Sequence, residues 1–344
     1  MPFANRTAHL KPEGAYQVLA RANQLEAAGK EIIHLEIGQP DYATFENVSQ
    51  AGIEAIRAGK TRYTPPAGMP SLREAIAEDA GRRRGIAVHP DEVVVSPGGK
   101  PNLFFPTLAL VEPGDEVIYP NPGFPTYEAM IKVAGGVIPP ADLEHIAAQT
   151  ERYGCWVMSD ELYTRIVYDD MAALSTASLP GLKERTIIVD GFSKTYSMTG
   201  WRLGFGIMPK ELAAQVDLLL THSIGSTAHF TQFAGLEALT GPQEMVNVMV
   251  SEYRCRRDAI VDGLNAIPGF LCQKPQGAFY VFPNITGTGM GSTELANLIL
   301  EKAGVALLPG NSFGQYGEGY LRLSYANSIE NIEKGLERIH AVLA

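Results

Sequence analysis

No apolar run in this chain reaches the ~18 residues that a membrane-crossing helix needs, so a helical membrane protein is not expected. The first residues, MPFANRTAHLKPEG, contain no apolar core of the kind a secretory leader carries, and no leader is expected. Cysteine is scarce: Cys155, Cys255 and Cys272 are odd in number, far apart and without metal-ligand spacing. That pattern excludes a disulfide framework, gives no metal site, and fits reduced thiols in a cytoplasmic protein. Positive charge is also lacking: 28 Lys and Arg stand against 38 Asp and Glu, for a net charge of -10. Nucleic acid is therefore not an expected partner. No Lys/Arg block stands out; RCRR at Arg254 to Arg257 interrupts a helical run and is expected on its solvated face. Repeats, low-complexity stretches and flexible linkers are all missing.

What is present is an ordinary globular composition, 45% hydrophobic and 19% charged over 344 residues. The length allows two domains, or one large domain with a smaller one attached. Short apolar, β-rich runs (EVVVSPGG, DEVIYP, WVMSDELY, TIIVDGFSK, RLGFGIMP) are separated by helical stretches in several places. SLREAIAEDAGRRRG opens with Ser71 and has Glu74 three residues on, which predicts a capping box. The alternation predicts an α/β fold: a large domain with a mostly parallel sheet flanked by helices, plus a smaller α+β domain. The expected division is an N-terminal arm over 1–12, the small domain over 13–40 and 250–344, and the large domain over 41–249.

The segment with most chemistry is DGFSKTYSMTGWRLGFG, Asp190 to Gly206. Lys194 follows the apolar strand TIIV and stands at a strand-to-loop edge, where ligands sit in open α/β sheets. It lies among Ser, Thr and Gly, eight residues before Arg202. Alone, such a lysine is more often a surface residue than an active one. Two other segments shift the balance. SPGGKPN, Ser96 to Asn102, is a glycine-rich turn between a strand and a helical run, a ready anion site. SDELY, Ser159 to Tyr163, places an acid and a phenol at the end of a third strand. A phosphate cradle, a carboxylate with a phenol, and an amine at the ends of different strands suit pyridoxal 5′-phosphate, which needs a lysine partner and an acid for its ring nitrogen.

SKTYSMTGWRLG resembles the lysine signature of the aspartate aminotransferase superfamily, class I/II aminotransferases of fold-type I, and the likeness runs from LEIGQPD to YLRLSYA. The resemblance implies a homodimeric, pyridoxal-phosphate-dependent aminotransferase acting on α-amino acids and 2-oxo acids. It implies that Lys194 forms the Schiff base, that Asp160 pairs with the ring nitrogen, and that Tyr163 bonds the ring oxygen. Gly99 and Lys100 would offer backbone N–H groups to the phosphate, with Ser193 and Arg202, and Phe124 would stack on the ring. Tyr63 would reach the phosphate of the other subunit. Arg322 would grip the substrate α-carboxylate, with Gly38 touching it through its backbone. Other activities on the same fold remain open at this point: a decarboxylase, a C–S lyase, a cyclopropane-forming synthase, or a cofactor-binding scaffold without turnover. No second arginine for a distal carboxylate is evident, and His229 and Arg62 are the only candidates.

The chain departs from the family in one place. Family members continue after AGG with a strand, a helix, another strand and an NxPxNPTG loop whose asparagine bonds the cofactor beside the tyrosine. Here KVAGG runs straight into VIPPADLEHIAA. Gly135 and Gly136 are expected to be a seam near 135–137 and not a turn, with a break in the chain between Ala134 and Ile138. The alternative is a continuous chain whose sheet is one or two strands short.

Overall fold

The computed structural model describes residues 4, 7, 10, 12–137, 150 and 152–344. Its central sheet is built from β2 (Val93–Ser96), β3 (Val157–Asp160), β4 (Thr186–Gly191) and β5 (Gly204–Ile207), in the order β2-β5-β4-β3. β3 pairs parallel to β4, and β5 runs antiparallel to both of its neighbours. β2, β3 and β4 therefore all point the same way. Their carboxyl ends (Ser96, Asp160, Gly191) share one edge with the start of β5, because Gly204 pairs with both Ser96 and Gly191. That shared edge is what gathers four distant stretches of sequence at one place.

β2, β4 and β5 are buried along their whole length, as a sheet covered on both faces requires. Alternation assigns the two faces. Val93, Val95 and Ile188 enter one core, and Val94, Ile187 and Val189 enter the other. Helices α2 (Glu46–Arg57), α3 (Pro70–Arg84) and, further on, α7 (His229–Thr240) pack together; α4 (Lys100–Leu110) packs on α5 (Pro125–Ala134) and α6 (Lys210–Thr221). Around the remaining residues, β1 (Ile33–His34) pairs parallel with β7 (Val305–Ala306). β6 (Tyr280–Val281), β9 (Leu321–Ser324) and β8 (Leu308–Pro309) form an antiparallel sheet. Helix α10 (Ile329–Leu343), capped by the Ser328 hydroxyl, packs on α8 (Glu244–Asn265). α1 (Gly14–Ala27) and α9 (Ser292–Leu298) complete this part. Among the described residues no helix is long and apolar enough to cross a membrane, and no cluster of side chains could hold a metal ion.

Three local expectations are corrected. The RCRR stretch is a solvated face only in its first half: Arg254 and Cys255 are exposed, whereas Arg256 is 7% exposed and Arg257 fully buried. Arg256 binds Asp41 and Glu252, while Arg257 binds Asp169 and Asp258 and lies over the Tyr168 ring. Buried charge is tolerated where it is paired, and half of these carboxylates, Asp41 and Asp169, come from other segments of the chain. The capping box at Ser71 does not form. Pro70 takes the first position of α3, where its missing N–H costs nothing, and Met69 becomes the cap.

The third correction concerns the two glycines. Gly135 is a turn residue: it adopts φ 92° as the left-handed cap of α5, its N–H donating toward the carbonyls of Ile131 and Lys132. Gly136 N–H binds Ile131 O at 3.0 Å, and Val137 exchanges bonds with Asp115 and Val117 in a parallel bridge at Glu116. The backbone thus continues through Gly135 and Gly136 to Val137, whereas Ile138 and the following residues through 149 lie outside the described residues. The predicted strand DEVIYP is reduced to that one bridge, with Ile118 55% exposed. β3 stands at the sheet edge and is only partly covered along its length, unlike its three companions.

Candidate active site

A cleft of about 1890 Å³ opens at the shared strand edge, between the central sheet and the β6-β9-β8 sheet. Pockets for one small molecule span about 300–1,000 Å³, so there is room for a cofactor and a substrate together. Every expected site residue lines it except Tyr63, which is 96% exposed on the surface. His229 and Arg62 do not line it either.

Lys194 emerges from the loop after β4 and donates from Nζ to the carbonyl oxygen of Gly38. Burial, then the nearby Arg322 and Arg202 guanidinium groups, push its amine down to about 8. Gly38 is needed here as glycine, because a Cβ would collide with the Tyr280 hydroxyl. The expectation gave Gly38 a backbone contact to a substrate carboxylate; in this structure its carbonyl holds the lysine.

Asp160 ends β3 and opens onto the cleft, yet protein surrounds it closely enough to raise its carboxyl above the usual range. Burial is the main cause, and Asp190 and Glu161 add repulsion. Tyr127 donates to its Oδ2 at 2.9 Å and opposes that rise. The Tyr163 hydroxyl meets the Tyr280 hydroxyl at 2.7 Å, and both phenols are pushed up by burial. Phe124 caps α5 and contacts the Tyr127 ring edge-on at 5.7 Å, with the Lys100 amine 5.3 Å from its centroid.

The turn after β2 delivers Gly99 as the cap of α4 and Lys100 as its first residue, so free backbone N–H groups face the cleft's end. Ser193 is buried beside them, and Arg202 packs against Gly98 while donating to Thr199 O at 2.9 Å. The N-terminal N–H groups of a helix beside a guanidinium fit a phosphate. The Lys100 amine is paired with Glu13 at 3.0 Å.

Arg322 sits in β9, its guanidinium 4.7 Å from the Tyr280 ring and 5.4 Å from that of Phe313. Its Nη1 is buried without a hydrogen-bond partner. A buried donor of this kind costs free energy unless something pairs with it, and a carboxylate meets a guanidinium fork with two bonds. Amine, carboxylate, phosphate cradle and unpaired guanidinium together fit pyridoxal phosphate with an amino acid beside it.

Sequence reasoning missed Tyr280, Tyr127 and Glu13. Tyr280 lay inside a stretch read only as a strand. Tyr127 had one usable signal, its position three residues after Phe124 on the same helix face.

The depressed Lys194 amine has a measurable consequence. Only the neutral amine attacks an aldehyde, and an unperturbed lysine is neutral above about 10.4. In cofactor-free protein, the rate at which pyridoxal phosphate is trapped on Lys194 should rise with pH through a midpoint near 8. A midpoint near that of free lysine would contradict the burial described above.

The family pattern for aminotransferase class I and II matches residues 30–140 and 134–339. The match comes in two pieces that meet at the Gly135–Gly136 region. A probable aspartate/prephenate aminotransferase of Aquifex aeolicus is 37% identical over 389 aligned positions, covering 99% of this chain and 98% of the relative. An aspartate aminotransferase of Geobacillus stearothermophilus is 35% identical, covering 99% and 98%. Alignments of that length against 344 residues must open gaps in this chain. Among solved structures, the Thermus thermophilus aspartate aminotransferase with maleate superposes with a TM-score of 0.93 at 34% identity, covering 99% of this chain and all of that one. The Rhizobium meliloti aspartate aminotransferase gives 0.91 at 32%, covering 100% and 99%. With the lysine loop, the acidic strand end and the guanidinium placed as described, the chain belongs to the class I and II aminotransferase family.

Proposed function

We propose that this aminotransferase uses pyridoxal phosphate, held in the cleft, to exchange the amino group of an α-amino acid with a 2-oxo acid. The observation that carries the reading is the convergence of Lys194, Asp160 and the unpartnered Arg322 guanidinium in one cleft. When bound, the cofactor supplies an aldehyde that takes up the amino group and a ring that withdraws electrons from Cα. The Gly99–Lys100 end of α4, Ser193 and Arg202 bind the phosphate. Asp160, steadied by Tyr127, holds positive charge at the ring nitrogen. Tyr163 would supply its hydroxyl to the ring oxygen, and Phe124 would pack against the ring. Arg322 would clamp the α-carboxylate and so orient the substrate. Lys194 Nζ, its pKa lowered to about 8 so that a share of it is neutral near neutral pH, would remove the Cα proton as a general base.

The asparagine loop of the family is not in this sequence, so among the described residues Tyr163 is the side chain we assign to the ring oxygen. Cofactor retention is therefore expected to be weak. We also propose a cytoplasmic homodimer in which Tyr63 reaches the neighbouring subunit's site; its near-complete exposure in one chain supports this. The division into a small domain (13–40 and 250–344) and a large one (41–249), after an arm over 1–12, is likewise our reading. Relatives named for aspartate make L-aspartate the first donor to test. Purified protein loaded with pyridoxal phosphate should lose its visible band on adding L-aspartate and regain it on adding 2-oxoglutarate. Carbon dioxide release, or a band that never returns with any acceptor, would point instead to another activity on this fold.

A further inference from the structure

Arg84 is the last residue of α3 and does not line the cleft. It is 8% exposed, and its fork meets two carboxylates. Nε donates to Glu161 Oε2 at 2.6 Å, and Nη2 donates to Asp190 Oδ2 at 2.6 Å. Glu161 directly follows Asp160 at the end of β3, and Asp190 lies in β4 four residues before Lys194. Each carboxylate is fixed further. Glu161 accepts from the hydroxyls of Ser159 and Ser175, and Asp190 accepts from its neighbour's N–H.

Asp160 itself is poorly anchored. Its strand is the sheet edge, paired on one side only among the described residues. Its side chain receives one short bond, from Tyr127, and a long one from the Leu162 N–H at 3.4 Å. Two carboxylates packed side by side would push the ends of β3 and β4 apart, and both already disfavour the charge on Asp160. One guanidinium bridging them reverses that repulsion, and a planar fork does so in fixed geometry, as a lysine would not.

We propose that Arg84 is a positioning residue that clamps the acidic end of β3 to the lysine-bearing end of β4, holding Asp160 where the cofactor's ring nitrogen must lie. This rests on the proposed cofactor site.

The test measures cofactor affinity of the apoprotein for two probes, pyridoxal 5′-phosphate and its 1-deaza analogue, which has the phosphate and aldehyde but no ring nitrogen. Arg84→Met should raise the Kd for pyridoxal phosphate about tenfold or more, the scale on which supporting partners of a ligating group act. The Kd for the deaza analogue should change less than about threefold, because Asp160 has nothing to pair with in it. Equal weakening of both probes, or no change in either, overturns the proposal, since a general loosening of the fold would not distinguish them. Thermal unfolding of the apoprotein checks that the variant is folded. If Arg84→Met does not fold, Glu161→Gln loosens the same clamp from its other end while leaving Arg84 paired to Asp190. It should show the same selectivity, and its absence there also overturns the proposal. If the wild-type chain binds neither probe, the cofactor reading fails instead.

Discussion

Replacing Lys194 by alanine is expected to end covalent cofactor attachment and to lower amino transfer by about 10⁴-fold or more, since proton transfer alone contributes about 10²–10⁴. The depressed pKa of this amine keeps a useful share of it neutral near neutral pH. No other lysine in the cleft can replace it: Lys100 is paired with Glu13 over Phe124, at the phosphate end. Cofactor should still bind, because α4, Ser193, Arg202 and Asp160 are untouched. Borohydride treatment of loaded wild-type protein, followed by peptide mass analysis, should place the label on the peptide containing Lys194. A label on Lys100 or elsewhere would remove Lys194 from its role.

Arg322→Ala is expected to reduce kcat/KM for amino acids by about 2–5 kcal/mol in transition-state terms, the usual cost of truncating one partner of a buried charge pair. Affinity for pyridoxal phosphate should stay within about twofold, because the guanidinium faces the substrate side of the cleft and not the phosphate turn. The unpartnered Nη1 supports this separation. The free protein already bears the cost of an unpaired donor, and the substrate carboxylate is what relieves it. Single-turnover measurements with a donor, alongside a cofactor titration, separate the two effects. A mutant that loses cofactor and substrate affinity equally would mean that Arg322 shapes the cleft instead of reading the carboxylate.

Much of the site was legible because its chemistry lies at the ends of short, strongly patterned strands. TIIV and EVVV announce buried strands by composition alone, and the residues just past each strand end fall on one sheet edge if the strands run the same way. They do, apart from β5, whose reversed direction brings the start of its strand, and hence Arg202, to that same edge. The family match does divide in this region, as the seam reading expects, but the turn at Gly135 was not legible, because two adjacent glycines look the same in sequence whether they cap a helix or join segments. Only the φ of Gly135 and the bonds of Gly136 and Val137 distinguish them.

By itself, the sequence, with its family resemblance, pointed to the candidate reactive groups that line the cleft: Lys194 near a glycine-rich turn, an acid and a phenol at another strand end, an arginine in YLRLSYA. These are local facts, carried by side-chain chemistry and strand-end placement. Tertiary structure alone decided which charges are buried and what they hold. Arg257 reads as a surface cation in its own helix and becomes buried only because Asp169, 88 residues away, and the Tyr168 ring come to meet it. Arg84 reads as one of three arginines ending a helix, yet it is the one that bridges Glu161 and Asp190, with Arg83 reaching Asp190 only at 3.6 Å. Tyr280 reads as a strand residue and ends against Tyr163 and over Arg322. Periodicity reports which face of an element is apolar over a few turns. It does not report which distant carboxylate will pay for burying a guanidinium, because that free energy belongs to the pair and exists only once the chain has folded.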